Sequence, residues 1–279
     1  MLGTGIPPPL AMRYDTTPTC RMENPRPDMT PIAHFRSAFP TKFGIPRQSG
    51  IVGELHGRIV FVPEFRNMDA LRGLEGFDYL WIIWQFSANR PREERGAASW
   101  QPTVRPPLLG GNTPMGVFAT RSPYRPNPIG LSSARIGRIE LSATEGPVIH
   151  VFGADLMDGT PIYDIKPYVT YADCHPNARS GFVDEHPWQE LDVEFPEHLR
   201  SRFTTDSLKA LIQVLALDPR PQYQDDPGKV YGMPYENYDI HFRVEAGILT
   251  VTDVVKLSAS DYQKEYEQRI RECNYEPYD

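Results

Sequence analysis

Three prolines alternate with polar side chains between residues 121 and 130, where the sequence is Arg-Ser-Pro-Tyr-Arg-Pro-Asn-Pro-Ile-Gly. Because proline fixes φ and removes a backbone donor, this segment predicts a stiff loop that holds Arg121, Arg125 and Asn127 in place. Fixed positions of this kind are what the alignment of reacting groups requires. These residues leave two alternatives open: a purely structural turn, and a short polyproline ligand suggested by the Pro-x-x-Pro spacing.

A second segment, residues 155 to 168, brings three aspartates, a lysine and two tyrosines together in Asp-Leu-Met-Asp-Gly-Thr-Pro-Ile-Tyr-Asp-Ile-Lys-Pro-Tyr. In an extended chain Asp164, Lys166 and Tyr168 project to one face, because strand side chains alternate. A buried Asp164–Lys166 pair would tune a carboxylate for proton transfer. The alternatives are a salt bridge that only supports packing and a divalent metal site. The spacing does not match an EF-hand loop, and we predict no metal.

A third candidate is Pro46-Arg47-Gln48, which comes after a loop that contains Lys42 and Gly44. On these residues alone, a solvated surface loop explains the pattern. The sequence has no Gly-x-Gly-x-x-Gly motif that opens a βαβ unit, no P-loop, no Gly-x-Ser-x-Gly motif and no zinc-ligand spacing among its histidines. The usual nucleotide-cofactor, phosphate-binding and serine-hydrolase fingerprints are therefore missing.

A series of strands must position these segments. Runs rich in β-branched and aromatic residues, separated by turn residues, predict them, and one short helix is expected over residues 67–75, capped by Asn67 and ended by Gly76. Because regular helices do not alternate with the strands, the pattern favours a mainly β (α+β) fold with a closed or nearly closed β-barrel. The predicted strands are residues 57–62, 79–86, 115–120, 132–141 and 148–152.

A second, smaller unit is predicted after a polar linker. Residues 205–217 carry apolar side chains at i, i+3, i+4 and i+7, which is typical of an amphipathic helix. Residues 238–244 and 248–254 predict a hairpin that turns near Ala246-Gly247, so this unit is expected to be a small α+β domain. The expected organisation is a disordered extension (1–28), a barrel domain (29–172), a linker (173–196), the small domain (197–257) and a helical tail (258–279) that begins near Ser260.

The composition is ordinary for a soluble globular protein, since 40% of the 279 residues are hydrophobic and 23% are charged. No apolar run approaches the ~18 residues that span a bilayer, and the first residues lack the features of a secretory signal. The three cysteines, Cys20, Cys174 and Cys273, are too far apart for a metal or disulfide framework. We therefore expect a cytoplasmic protein. The net charge of −7 argues against a protein that simply coats nucleic acid.

Six ordered motifs, together with Asp218-Pro-Arg-Pro-x-Tyr223, resemble the TrmO/YaeB family with its TsaA-like domain. The resemblance covers roughly residues 30 to 257, and the motifs keep their order and spacing. The six are Lys42-Phe-Gly-Ile-Pro-Arg-Gln48, Gly73-Leu-Glu-Gly-Phe77, Pro102-Thr-Val-Arg-Pro-Pro107, Gly116-Val-Phe-Ala-Thr-Arg-Ser122, Arg125-Pro-Asn-Pro-Ile-Gly130 and Asp158-Gly-Thr-Pro-Ile-Tyr-Asp-Ile-Lys-Pro-Tyr168.

The resemblance implies a β-barrel class of S-adenosylmethionine-dependent methyltransferase with a small C-terminal domain and a homodimeric assembly. The implied substrate is the threonylcarbamoylated adenosine beside the anticodon of threonine tRNA, and the methyl group goes to the exocyclic N6 nitrogen of the base. Two alternatives remain: a barrel methyltransferase with another substrate, and a non-catalytic module that binds the cofactor or tRNA.

The family's cofactor contacts carry over by motif to several segments. Relatives can also carry a His-Gln pair after the strand that matches residues 81–86, and this chain has Ser87 and Ala88 there, which leaves backbone contacts. The other implied contacts are Pro46, Arg47, Gln48, Arg121, Leu131, Asp155, Leu156, Met157 and Asp158.

In that substrate the acceptor nitrogen is acylated, so its proton is more acidic than in plain adenosine. Our hypothesis is that a carboxylate accepts this proton as the methyl group arrives, with Asp164 as the first candidate and Asp158 as the second. Lys166 or Tyr168 would orient the carbamoyl group or the threonyl carboxylate.

Arginines supply the expected tRNA contacts, because guanidinium groups bind carboxylates and phosphates bidentately. Arg121 or Arg125 would contact the substrate, with Asn127 beside them. In the second unit, contacts with the anticodon are expected from Arg220, Tyr223 and Tyr231. A basic face in the first half of the chain is predicted from Arg47, Arg90, Arg92, Arg95, Arg105, Arg121 and Arg125.

Overall fold

The structure is a computed structural model that describes residues 29–88, 101–220, 226 and 228–258. It is mainly β with some helices, as the sequence predicted. The strands are β1 (Ala33–Arg36), β2 (His56–Phe61), β3 (Tyr79–Gln85), β4 (Thr103–Val104), β5 (Met115–Gly116), β6 (Ile129–Ser142), β7 (Gly146–Phe152), β8 (Pro161–Pro167), β9 (Asp192–Glu194), β10 (Tyr231–Tyr235), β11 (Tyr238–Glu245) and β12 (Ile248–Lys256). The α-helices are α1 (Thr170–Asp173), α2 (Phe182–Glu185), α3 (Glu197–Arg200) and α4 (Thr205–Ala216).

Six strands form an antiparallel ring in which every strand has two neighbours. Their order is β1-β2-β7-β6-β3-β8, and β8 pairs again with β1. Because side chains alternate across a strand, β3 turns Leu80, Ile82 and Trp84 toward the interior, where the first two are 0% exposed. Burying a side chain of this size stabilises the fold by about 1.5–3 kcal/mol. Interior side chains hold the ring together, and outward ones remain available for contacts.

The second unit is a four-stranded sheet, ordered β10-β11-β12-β9, with α4 packed on it. Helix α4 begins after Thr204, whose hydroxyl accepts from the Ser207 amide at 3.3 Å. It buries Leu211 and Leu215 completely in the core of this unit. The predicted amphipathic helix over residues 205–217 and the predicted hairpin, which is β11 and β12, are both confirmed.

Residues 37–55 (the bridging segment) join β1 to β2 and pack largely against the core of the second unit. Phe39, Val52 and Leu55 are buried in one cluster with residues of α4 and β10–β12. The ring of Phe39 lies edge-on to Tyr235, with 5.5 Å between the ring centres. The core of the second unit therefore includes part of the segment predicted to belong to the barrel domain, while the ring keeps a core of its own.

The helix predicted over residues 67–75 is wrong. The structure has two 3-10 turns there, Met68–Leu71 and Leu74–Gly76, because Gly73 between them has a left-handed φ of 88°. Asn67 does cap the first turn, since its side chain accepts a backbone amide at 2.9 Å.

The strand predicted over residues 115–120 ends early. Only β5 is extended, and Val117–Ala119 form a 3-10 turn. Val117 is 1% exposed, and the Thr120 hydroxyl donates to its carbonyl at 2.9 Å. The buried valine anchors this turn in the interior, so the start of residues 121–130 (the proline loop) has a fixed position.

The segment predicted as a linker, residues 173–196, contains regular structure. It includes α2 and β9, and β9 pairs in parallel with β12. The strand was missed because its three residues are too few to show an alternation. The predicted extension (1–28) and the helix predicted from Ser260 lie outside the described residues.

Across the described ranges, no helix combines the length and the apolar character needed to cross a membrane.

Candidate functional site

Asp155 lies in the loop between β7 and β8, and a hydrogen-bonded pair of side chains from the ring holds its carboxylate through Ser132. Its Oδ1 accepts from Ser132 Oγ at 2.5 Å, and that hydroxyl accepts from Trp84 Nε1 at 2.9 Å. Burial raises the pKa of Asp155, while the Ser132 hydroxyl, Arg121 and the Ser49 backbone act in the opposite direction. A carboxylate with a perturbed pKa among such partners is typical of a functional site.

Arg121 connects this carboxylate to the bridging segment. Its Nη1 donates to Gln48 Oε1, and its charge favours the ionised form of Asp155. These residues (the polar cluster) come from the bridging segment, the start of the proline loop and the β7–β8 loop. The structure therefore brings together three residues that the motifs indicated, and their role as cofactor contacts stays a prediction.

Arg47 lies over Trp188, with 3.7 Å between the guanidinium carbon and the centre of the ring. The residue as a whole is exposed, but desolvation of its guanidinium lowers the pKa of Arg47, and the charge of Asp218 opposes that shift. Pro46 beside it is buried. Sequence reasoning missed Trp188, because a single aromatic residue in a polar segment shows no pattern.

Four predicted cofactor residues offer mainly backbone groups. Leu156 and Met157 are 0% and 8% exposed, so their side chains belong to the interior. Ser87 and Ala88 come after the end of β3, where the Ser87 amide donates to a carbonyl two residues earlier at 2.7 Å. Any ligand contact from these residues must come from the main chain or from very short side chains.

Asp158 is held at the end of β1. Its Oδ1 accepts from the Ser37 amide at 3.1 Å, and its Oδ2 lies 3.5 Å from Arg36 Nη1. The Asp158 amide also donates to the Phe39 carbonyl at 2.8 Å. The carboxylate predicted as the second proton acceptor is thus engaged in positioning the chain.

The outward side of β6, β3 and β8 (the outer face) carries the remaining candidates. Leu131 is 57% exposed and pairs with Ile83, which pairs on its other side with Asp164. Asp164 forms the predicted ion pair with Lys166 at 2.9 Å, but the two side chains are 45% and 63% exposed. The prediction that this pair is buried is wrong, because these residues alternate with the interior-facing Ile165.

Tyr168 extends the outer face. Its ring centre lies 5.7 Å from that of Trp81 and 6.2 Å from that of Tyr79. The outer face thus combines aromatic and aliphatic side chains with the exposed Asp164–Lys166 ion pair.

Two arginines predicted to contact tRNA are engaged within the protein. Arg125 donates to the carbonyls of Thr120 and Ser122 at 3.1 and 3.3 Å, and so closes the proline loop on itself. Arg220 is 11% exposed at its side chain and donates to both oxygens of Asp218, at 2.8 and 2.9 Å. These contacts position loops, which residue types alone cannot reveal.

The other predicted tRNA contacts differ in placement. Asn127 is exposed in the proline loop. Tyr231 is 6% exposed and stacks on Phe242 with 5.6 Å between ring centres, so its prediction as a surface contact is wrong. Tyr223, Arg90, Arg92 and Arg95 lie outside the described residues.

The polar cluster offers a carboxylate, a guanidinium and an amide. A carboxylate binds ammonium or hydroxyl groups, and a guanidinium binds a carboxylate bidentately. A small ligand that carries both kinds of group, such as one with an amino-acid end, matches this set. In the part of the chain that the structure describes, no three His, Cys, Asp or Glu side chains are grouped as metal ligands.

Fold and site together define a mainly β protein whose candidate ligand site is built from loops at a ring of strands. The chain belongs to the tRNA-methyltransferase O family: the family model of its N-terminal domain matches residues 34–174, and that of the TrmO C-terminal domain matches residues 188–257. The family resemblance predicted from the motifs is confirmed.

The regions of similarity to known proteins cover most of this chain and nearly all of each similar protein. A tRNA (adenine(37)-N6)-methyltransferase of Escherichia coli is 37% identical over 221 residues, which cover 76% of this chain and 91% of that protein. A protein of the same name from Eikenella corrodens is 43% identical over 181 residues, 64% of this chain and 97% of its own length. The crystal structure of TrmO from Pseudomonas aeruginosa is similar with a TM-score of 0.63 and 32% identity, covering 81% of this chain and 97% of that one.

Proposed function

We propose that this protein transfers a methyl group from S-adenosylmethionine to the N6 nitrogen of threonylcarbamoyladenosine, next to the anticodon of threonine tRNA. Family membership supports this, as do relatives named tRNA (adenine(37)-N6)-methyltransferase. The structural observation that carries the proposal is the polar cluster, where Gln48, Arg121 and Asp155 meet although they are distant in sequence.

The polar cluster fits the groups of S-adenosylmethionine, which supplies a methyl group on a positively charged sulfur. Ionised Asp155 suits the ammonium or the ribose hydroxyls, and Arg121 suits the carboxylate. Gln48 and the backbone of residues 155–158 lie in the same loops. Ser132 holds the Asp155 carboxylate in one position, which serves the alignment that methyl transfer requires.

We propose Asp164 as the group that accepts the proton from the acceptor nitrogen. It is 45% exposed, so a macromolecular substrate can reach it, and Lys166 at 2.9 Å is placed to bind the substrate's carboxylate beside it. Tyr168, on the same outer face, would orient the substrate. Asp158 is the second candidate, and its contacts with Ser37 and Arg36 make it the less available one.

We propose that the ring of strands is the β-barrel catalytic domain, over residues 29–172, and that residues 197–257 form the small C-terminal domain. The pairing of β8 with β1 supports closure of the ring. The bridging segment and β9 extend the small domain beyond those bounds. A tRNA substrate also supports a location in the cytoplasm.

We propose a homodimer that forms through the β6 side of the outer face, around Leu131, and leaves Asp164 on β8 at the edge of the contact, open to the substrate. Leu131 and Ile129, two residues apart on β6, are 57% and 39% exposed there, and adjacent exposed apolar side chains are typical of an interface. A partner subunit on this face would also enclose Leu131, the one implied cofactor contact that lies on it.

The experiment that tests the activity uses purified protein, labelled S-adenosylmethionine and tRNA from cells that lack the enzyme. We expect label in threonine tRNA that carries threonylcarbamoyladenosine, and none in the same tRNA transcribed without the modification. Transfer only to other acceptors would favour a methyltransferase with another substrate. Binding of the cofactor or tRNA with no transfer would favour a non-catalytic module.

A further inference from the structure

The loop that carries Arg47 and Gln48 is seated on the second unit. Phe43 and Ile45 pack against the hydrophobic core of that unit. Gly44 has a φ of +87°, and a Cβ added there would lie 2.2 Å from the sulfur of Met233, a residue of β10. Only glycine allows the loop to approach the small sheet this closely.

Two residues of the second half of the chain act on Arg47, one by contact and one by its charge. The Trp188 ring covers its guanidinium at 3.7 Å, a distance at which a cation and an aromatic face attract each other. Asp218, just after α4, is close enough to act on its charge. Asp218 is itself fixed by the bidentate contact from Arg220, at 2.8 and 2.9 Å.

The position of Arg47 constrains the next two residues of the chain. Gln48 accepts from Arg121, and the backbone of Ser49 lies close enough to Asp155 to favour its ionised form. A shift of Arg47 therefore moves Gln48, which accepts from Arg121, and the Ser49 backbone beside the Asp155 carboxylate.

We propose that Trp188 is a positioning residue for the cofactor site, so that the C-terminal unit helps to build that site. The inference rests on the proposed function, because it takes the polar cluster to be the place where S-adenosylmethionine binds. Trp188 touches no part of the polar cluster in any contact that the structure shows; it acts through Arg47.

The test is calorimetric titration of the full chain with S-adenosylmethionine. We expect Trp188→Ala to raise the dissociation constant about fivefold or more, and Trp188→Phe to stay close to wild type, because a phenyl face still attracts a guanidinium. In steady state, the KM for the cofactor should rise while the dissociation constant for tRNA stays unchanged. Tyr171→Ala is the matched control, since that ring is 91% exposed, and it should change neither value.

A double-mutant cycle separates the loss of the Arg47–Trp188 contact from any general loss of folding stability in the variants. In an Arg47→Ala background, Trp188→Phe and Trp188→Ala should bind the cofactor equally, because the interaction that distinguishes them is gone. If Trp188→Ala binds S-adenosylmethionine like wild type, or if Trp188→Phe loses as much as Trp188→Ala, the inference is overturned while the proposed function stands. Absence of binding to wild type would overturn the proposed function and the inference together.

Discussion

Burial raises the pKa of Asp155 above that of an exposed carboxyl group. The folded protein therefore holds this proton more tightly than the unfolded chain does. Its stability falls as the pH rises from the unfolded value, about 3.9, through the folded pKa. At neutral pH the ionised carboxylate costs stability, and its hydrogen bond from Ser132 offsets only part of that cost.

We expect Asp155→Asn to remove this cost, because an amide oxygen still accepts from Ser132. The melting temperature at neutral pH should rise, and the difference from wild type should vanish below a pH of about 4. The same variant should bind S-adenosylmethionine about tenfold more weakly, ~1.4 kcal/mol. Thermal unfolding at several pH values and calorimetry measure the two effects. A melting temperature at neutral pH that does not rise would contradict the electrostatic argument.

Asp164 is the residue on which the proton-transfer proposal depends. We expect Asp164→Asn to lower turnover about 100-fold or more, because an amide cannot take up the proton, and to leave cofactor affinity unchanged. Single-turnover assays with labelled cofactor measure the first effect, and calorimetry measures the second. Asp158→Asn, assayed in parallel, separates the two candidates; normal turnover of Asp164→Asn would exclude Asp164 from the role.

At the scale of elements, alternation was enough to find strands that bury one full face. β3 was predicted at residues 79–86 and observed at Tyr79–Gln85, because Leu80, Ile82 and Trp84 alternate with less buried residues. Short elements carry no such pattern. The strand β9 and the 3-10 turn at Val117–Ala119 depend on tertiary contacts, so the sequence alone could not predict them.

The candidate site was predictable only in part. Family motifs indicated Gln48, Arg121 and Asp155, which the structure places together. The residues that hold Asp155 in place were not predictable, because a serine in one strand and a buried tryptophan in the next give no chemical signal in the sequence. Ser132 and Trp84 gain a role only because β3 and β6 pair in a register that places them beside each other.

Gly130 is the place where β6 passes against the ring of Trp84. A Cβ added there would lie 2.2 Å from that ring, whose Nε1 donates to the Ser132 hydroxyl. Gly130→Ala should therefore lower the free energy of unfolding by about 1–3 kcal/mol and weaken cofactor binding through the displaced ring. Urea unfolding and calorimetry measure these effects. Gly116→Ala is the control, because nothing lies within 4 Å of its added Cβ; equal losses in both variants would refute the steric explanation.

At the scale of the whole molecule, a net charge of −7 must be reconciled with an anionic substrate. Exposed arginines such as Arg105 and Arg121 supply a local basic surface. Contacts between such residues and phosphates release counterions, so we expect tRNA affinity to fall at least about tenfold between about 50 and 200 mM salt. Fluorescence anisotropy with labelled tRNA measures this, and cofactor binding in the same buffers is the control. A flat response would show that tRNA binding does not depend on the basic surface.

The proposed homodimer would place Leu131 in the contact between the two subunits and Asp164 at the edge of that contact. We expect the wild-type protein to sediment as a dimer and Leu131→Glu to sediment as a monomer, since a buried, unpaired carboxylate in an interface is strongly unfavourable. Leu141→Glu is the matched control: it lies on the same strand, is 69% exposed against 57% for Leu131, and should leave the dimer intact. Sedimentation equilibrium measures all three proteins. A Leu131→Glu variant that remains a dimer would exclude this face as the interface, and a monomeric wild type would mean that methyl transfer is completed within one subunit.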